Sequence, residues 1–198
     1  MPRSSATDAA LTRERILHAV VDRASTEGLS HVSTRSIARD VGLSSSGALG
    51  PFASRESLLR EALDVAVAEF VDQVVLPSLE HDAGPARLGV IVERWLAYLT
   101  HCPFRGGCVV TAVSVDLDGR PGELRDATRD AVGRWRRFLA DQFRAAGRSD
   151  VEAVDDAVAL MGVAMALNQE IQLLGESGTA LERGRRTMRA VIDRRSPC

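Results

Sequence analysis

At 198 residues, with 45% apolar and 26% charged side chains and a formal net charge of −2, the chain can fold a small domain beside a larger one. The near-neutral balance excludes a polyanion binder working through a global basic field, but leaves room for a local basic face. No apolar run reads as long enough to span a bilayer, and the opening MPRSSATDAA lacks the apolar core of a signal peptide, so a cytoplasmic protein without a membrane segment is expected.

Every basic side chain is Arg; there is no Lys. Any strong phosphate contact must therefore come from Arg, a backbone amide or a hydroxyl. Cys102, Cys108 and Cys198 make no paired disulfide framework and are expected to be reduced. His101, Cys102 and Cys108 fall short of the four donors of a small metal site, and the apolar Val109 and Val110 favour a buried, inert Cys108 thiol. Spacing supports no Gly-rich phosphate loop, Ser-His-Asp set or catalytic carboxylate pair, so no enzyme, metal or cofactor is expected.

Nearly the whole chain reads as helix. Residues 11–27 put Ile16, Leu17, Val20 and Ala24 on one face, with Thr12 as a cap and Gly28 as the stop. Next comes Ser33 to Arg55, STRSIARDVGLSSSGALGPFASR, which reads as a helix, a glycine turn and a second helix, the pattern that places a helix in the DNA major groove. Ile37, Val41 and Leu43 supply buried apolar positions, and Ala38 is small where two helices must cross. Gly42 falls where the chain reverses and positive φ is cheapest. Ser33 caps the first helix and Ser44 or Ser45 the second. Ser54 caps a long helix reaching Leu76, where Pro77 stops it.

Beyond Pro85 the periodicity predicts helices over 86–100, 108–115, 123–146, 150–175 and 180–194, with turns at HCPFRGG and DLDGRPG. The 150–175 helix is apolar on more than one face and must be covered on more than one face. No strand pattern interrupts the series, so the fold class is all-α.

The segment from Leu11 to Leu63 resembles the DNA-binding domain of the tetracycline-repressor family. The matching pieces are TRERILHAV, the STRSIARDVGLS block, and the run Phe52-Ala53-Ser54-Arg55-Glu56-Ser57-Leu58-Leu59. Gly106-Gly107-Cys108 with the following DLDGRPGELRDA resembles one branch of such regulators. The resemblance implies a homodimeric transcriptional regulator, usually a repressor, released from double-stranded operator DNA by a small-molecule effector. The chain would then divide into a disordered arm (1–10), a three-helix DNA-binding domain with the helix-turn-helix (11–55), and a helical ligand-binding and dimerisation domain (56–198).

On this reading Ser44, Ser45, Ser46, Gly47 and Leu49 face base edges, while Ser33, Thr34, Arg35 and Arg55 hold phosphates or add specificity. The sequence departs from the family pattern in the second helix. Ser45 stands where Lys is usual, Leu49 where an aromatic is usual, and Pro51 where His or Tyr is usual; Ala48 replaces a larger apolar residue. Losing phosphate contacts weakens the sequence-independent part of affinity, or shifts it onto Arg13, Arg35, Arg39 and Arg55. The alternative is a helical small-molecule-binding dimer that no longer binds DNA.

Large soft side chains nominate an effector site from Trp95, Tyr98, Leu99, Phe104, Cys108, Ala112, Trp135, Phe138, Met161, Met165 and Gln169. The extra apolar faces of the last two helices nominate a dimer interface: Leu160, Ala164, Leu167, Ile171 and Leu174 on one, Leu181, Met188, Val191 and Ile192 on the other.

Overall fold

The computed structural model describes residues 6–175 and 177–194; Cys198 and the first five residues lie outside that range. The described residues contain helices and no strand. In chain order the α-helices are α1 (Ala6–Glu27), α2 (Thr34–Val41), α3 (Ser45–Leu49), α4 (Arg55–Phe70), α5 (Pro85–Thr100), α6 (Val109–Leu117), α7 (Glu123–Ala145), α8 (Asp150–Leu174) and α9 (Gly178–Asp193). Helix α1 starts at Ala6, so residues 6–10 are helical rather than an arm. Thr12 lies inside the helix, its hydroxyl donating to the Asp8 carbonyl at 2.8 Å, and caps nothing.

The chain forms two compact units, and they are not sequential. One takes in the chain through Ala68 and then Phe104–Arg129; the other takes Glu69–Pro103 and the chain from Asp130 on. The expected boundary after residue 55 put all of 56–198 in one domain, whereas α6 and its flanks join the helix-turn-helix.

Three anchors in the first unit explain why. The Arg105 amide and guanidinium both reach Asp22 of α1, at 2.9 and 2.6 Å. The Gly106 amide donates to Ser25 Oγ at 2.9 Å, and a Cβ at Gly106 would fall 2.0 Å from the Ser25 carbonyl oxygen, so only glycine permits this approach. From α6, Asp116 accepts the Ser30 amide (2.7 Å) and hydroxyl (2.5 Å) in the 3-10 turn Leu29–His31. These are polar and glycine-mediated contacts between distant segments, which hydrophobic periodicity does not register. The core beneath them is Ile16, Val20, Ala24, Leu29, Ile37, Ala48, Leu59 and Val113.

Burial pushes the Asp116 carboxyl up, but the Ser30 hydroxyl and amide, with the charges of His31 and Arg120, outweigh it and hold its pKa below the usual carboxylate value. The folded pKa lies below the unfolded one. The stabilisation is therefore complete above about pH 4 and is lost as pH falls through the folded value. Asp116→Asn is expected to lower Tm near neutral pH, with the gap to the unsubstituted protein closing in strong acid. A thermal-melt series across pH tests this; a gap of constant size would remove the charge from the explanation.

In the second unit, Phe70 is followed by one π turn (Val71–Val75) and a 3-10 helix (Leu76–Glu80). Pro77 was expected to stop the long helix. It sits instead in the first turn of the 3-10 segment, where its missing N–H is not needed. The inner face of α8 (Ala153, Ala157, Leu160, Ala164, Leu167) is buried, as are Ala180, Gly184 and Met188 of α9. The two helices cross closely: a Cβ at Gly184 would lie 2.3 Å from Leu167 Cδ1. Glu93 of α5 holds α9 through Arg185 Nε (3.0 Å) and Arg189 Nη2 (2.7 Å). Asp156, fully buried, pairs through Oδ2 with Arg148 Nε at 2.9 Å and through its other oxygen with Arg194.

Contrary to the reading of the sequence, α8 is long and apolar enough, by length and composition, to cross a bilayer. In the fold its inner face is packed and carries the Asp156 ion pairs.

Candidate nucleic-acid interface and aromatic core

Helices α2 and α3 form the expected helix-turn-helix, built by local chemistry. Ser33 caps α2 in a capping box: its Oγ accepts the Ser36 amide at 3.1 Å, and the Ser36 hydroxyl faces the Ser33 amide at 3.3 Å. At the other end Gly42 adopts φ 69°, and the Leu43 amide closes back on the Ala38 carbonyl at 2.8 Å. Leu43 is largely exposed and Val41 half-buried, so Ile37, Ala38 and Ala48 form the buried contact instead. Ser44 caps α3 by accepting the Gly47 amide at 3.0 Å, and Ser54 caps α4 by accepting the Ser57 amide at 3.0 Å.

The nominated reading residues differ in what they have free. Ser33 Oγ is occupied by its capping box, and Ser44 Oγ by Gly47 and Ser46 Oγ (3.1 Å). Ser45 is exposed on the first turn of α3; Thr34 and Leu49 are half-buried and Gly47 exposed. Arg55 does not stand ready for phosphate. Its Nη2 donates to the carbonyls of Val32 (2.7 Å) and Ser30 (3.3 Å), so it ties the 3-10 turn to α4. Arg13 lies over the Phe52 ring, 4.9 Å from its centroid, and pairs with Glu61. Arg35, on the first turn of α2, is exposed and binds no group among the described residues.

The nominated effector residues do not form one group. Phe104, Cys108 and Ala112 belong to the first unit, where Phe104 sits near His18 of α1 (ring centroids 6.5 Å apart). Met161 is half-buried, and Met165 and Gln169 lie on the exposed face of α8. Trp95, Tyr98, Trp135 and Phe138 do come together, in the second unit, around Phe70, the last residue of α4. Phe70 meets Trp95, Tyr98 and Trp135 edge-on at 5.9, 5.3 and 5.0 Å. Trp95 meets Trp135 at 5.1 Å and 82°, and Phe138 stacks on Trp135 at 5.7 Å. Leu99 is buried on the same helix as Trp95. Phe70 carries no signal that sets it apart in sequence; only the close of α4 brings it here.

The nominated interface residues need correction too. Leu160, Ala164, Leu167 and Met188 are buried within the chain, and Ile171, Leu181, Val191 and Ile192 are half-buried; only Leu174 is well exposed. That stripe of α8 is its inner face. The opposite stripe is the open one: Val151, Val154, Val158, Gly162, Met165, Ala166, Gln169 and Leu173 are all exposed. They recur at heptad-like spacing and, from Val158 on, none is charged.

A short helix-turn-helix in one unit and an all-helical second unit are the build of a helix-turn-helix transcriptional regulator. The C-terminal half is matched by the family described as tetracyclin repressor-like, C-terminal domain, over residues 84–188, and the chain belongs to the tetracycline-repressor (TetR) family. No curated protein matches it in sequence. Among solved structures, a TetR transcriptional regulator from Chloroflexus aurantiacus is 18% identical, with a TM-score of 0.83 over 95% of this chain and 98% of that one. A Saccharomonospora viridis protein named as a transcriptional regulator, in complex with choline, is 25% identical, with a TM-score of 0.74 over 93% and 96%. AibR, in complex with isovaleryl coenzyme A and operator DNA, is 16% identical, with a TM-score of 0.74 over 91% and 97%.

Proposed function

We propose that the protein is a homodimeric, cytoplasmic, non-enzymatic repressor that binds double-stranded operator DNA through α2 and α3 and is released by a small molecule bound in its second unit. The observation that carries the DNA reading is Arg35. It is an exposed guanidinium with no partner among the described residues, on the first turn of α2, in a helix-turn-helix whose N-caps are made by Ser33 and Ser44. Ser45 offers a base-facing hydroxyl, and the α2 and α3 amides offer phosphate contacts. The choline and isovaleryl coenzyme A complexes of the two relatives support a small-molecule effector.

A dimer is needed because one helix-turn-helix reads one half-site, and two must enter successive major grooves about 34–36 Å apart. The open stripe of α8, apolar or uncharged from Val158 on and carrying Asp155 one turn earlier, is the surface that would meet its two-fold mate, with Gly162 and Ala166 allowing close approach of the helices. Release follows if the effector prefers a spacing of the reading heads that the operator does not fit.

A mobility shift on the chain's own upstream intergenic DNA, at two salt concentrations, tests the reading. The protein is expected to retard that DNA specifically, and Arg35→Ala to weaken binding by about tenfold and flatten the salt dependence by about one counterion. The second reading, a dimer without DNA binding, rests on the five-residue α3 and on Ser45, Leu49 and Pro51. No retardation by an intact dimer at low salt would favour it.

A further inference from the structure

We infer that the aromatic core of the second unit is a collapsed cage for a small organic cation of the quaternary-ammonium type, carrying a hydrogen-bond acceptor a few ångströms from its charge. The inference rests on the proposed effector site and adds the chemical class of its ligand. Five of the chain's eight Phe, Tyr and Trp side chains gather there: Phe70, Trp95, Tyr98, Trp135 and Phe138. Four of them, Phe70, Trp95, Tyr98 and Trp135, make perpendicular contacts at 77° to 88°. Perpendicular packing sets the positive edge of one ring against the negative π face of its neighbour. If the half-buried Phe70 ring swings aside, the space it leaves is bordered by Trp95, Tyr98 and Trp135, and a cation there is attracted by whichever π faces turn towards it.

Two further observations narrow the class. The Trp135 indole N–H is buried, and nothing among the described residues accepts it. A buried donor left unpaired is costly, so a ligand that brings an acceptor gains more than one that does not. The five rings also bring no ionisable carboxylate, guanidinium or imidazole of their own. The π faces favour cations and disfavour carboxylates and phosphates.

The two tryptophans of the chain, Trp95 and Trp135, both belong to the cage, so intrinsic tryptophan emission reports on this site alone. The test titrates the full-length protein with choline, with its uncharged carbon isostere 3,3-dimethylbutan-1-ol, with tetramethylammonium, and with isovalerate. Choline is expected to change the emission saturably. The isostere should bind at least about tenfold more weakly through loss of the cation–π attraction, tetramethylammonium more weakly than choline through loss of the acceptor, and isovalerate not at all. Trp135→Phe keeps the ring and removes the N–H. It should bring choline down to the tetramethylammonium level, and far-ultraviolet circular dichroism checks that it folds. Equal binding of choline and its isostere, or preference for isovalerate, overturns the cation assignment. No response to any of the four overturns the cage. Operator retardation separates this from the regulator reading: DNA binding without choline binding sinks the cage alone, and choline binding without DNA binding sinks the operator alone.

Discussion

Replacing Asp156 by alanine is expected to destabilise the protein by about 3–5 kcal/mol, the range for removing one partner from a buried ion pair. Asp156 is fully buried on the second turn of α8 and balances two cations, Arg148 and Arg194. Arg194 is more than half exposed and can turn to solvent when the carboxylate goes. Arg148 cannot: its side chain is 9% exposed, and its Nη2 is held by the Ile192 carbonyl at 3.2 Å. Its charge would remain buried and uncompensated. For a chain of this length the loss corresponds to a fall in Tm of roughly 6–20 °C. Asp156→Asn keeps an acceptor for Arg148 and should cost less. Chemical denaturation of both variants gives the values, and a loss under about 1 kcal/mol for the alanine variant would mean that the pair adds nothing net.

The second large effect concerns assembly. Val158→Glu places a charge on the open stripe of α8, where Val158 is half-exposed, Val154, Gly162 and Met165 are uncharged, and the exposed Asp155 one turn earlier already carries a negative charge. In the proposed dimer that charge is repeated by the two-fold axis and desolvated twice. The expected outcome is a folded monomer by sedimentation, with unchanged helicity, and a fall in operator affinity of about 100-fold or more as the second half-site contact is lost. Leu160→Ala is the control. Leu160 lies on the inner stripe, so its loss should cost about 2–5 kcal/mol of folding stability while the remaining folded protein stays dimeric. A Val158→Glu protein that remains a dimer would remove this stripe from the interface.

The two stripes of α8 show where the sequence stops being informative. Ala153, Ala157, Leu160, Ala164 and Leu167 on one side, and Val151, Val154, Val158 and Met165 on the other, are all apolar at helical spacing. Hydropathy says that both faces want cover; it cannot say which is covered by the same chain. The close crossing of Gly184 on Leu167 decides it, and that depends on how α9 returns. The aromatic core tells the same story. Trp95 and Tyr98 of α5 and Trp135 and Phe138 of α7 were legible as candidates because such residues are scarce. Phe70 was not, and neither was the placing of Phe104, Cys108 and Ala112 in the other unit.

By itself the sequence determined what local chemistry controls. It specified the all-α class and the extents of α5, α7 and α8 to within a residue or so. It also specified the serine caps at Ser33 and Ser54, narrowed the α3 cap to Ser44 or Ser45, and placed the left-handed turn at Gly42. Each depends on residues within about one helical turn, where propensity, capping and periodicity act directly. Only the tertiary structure decided which cations are occupied, as Arg55 and Arg13 are and Arg35 is not, and that residues 104–129 fold with the helix-turn-helix. It also decided which stripe of α8 is left open. Those outcomes rest on polar pairs, glycine approaches and helix crossings between positions tens of residues apart, whose partners no local pattern names.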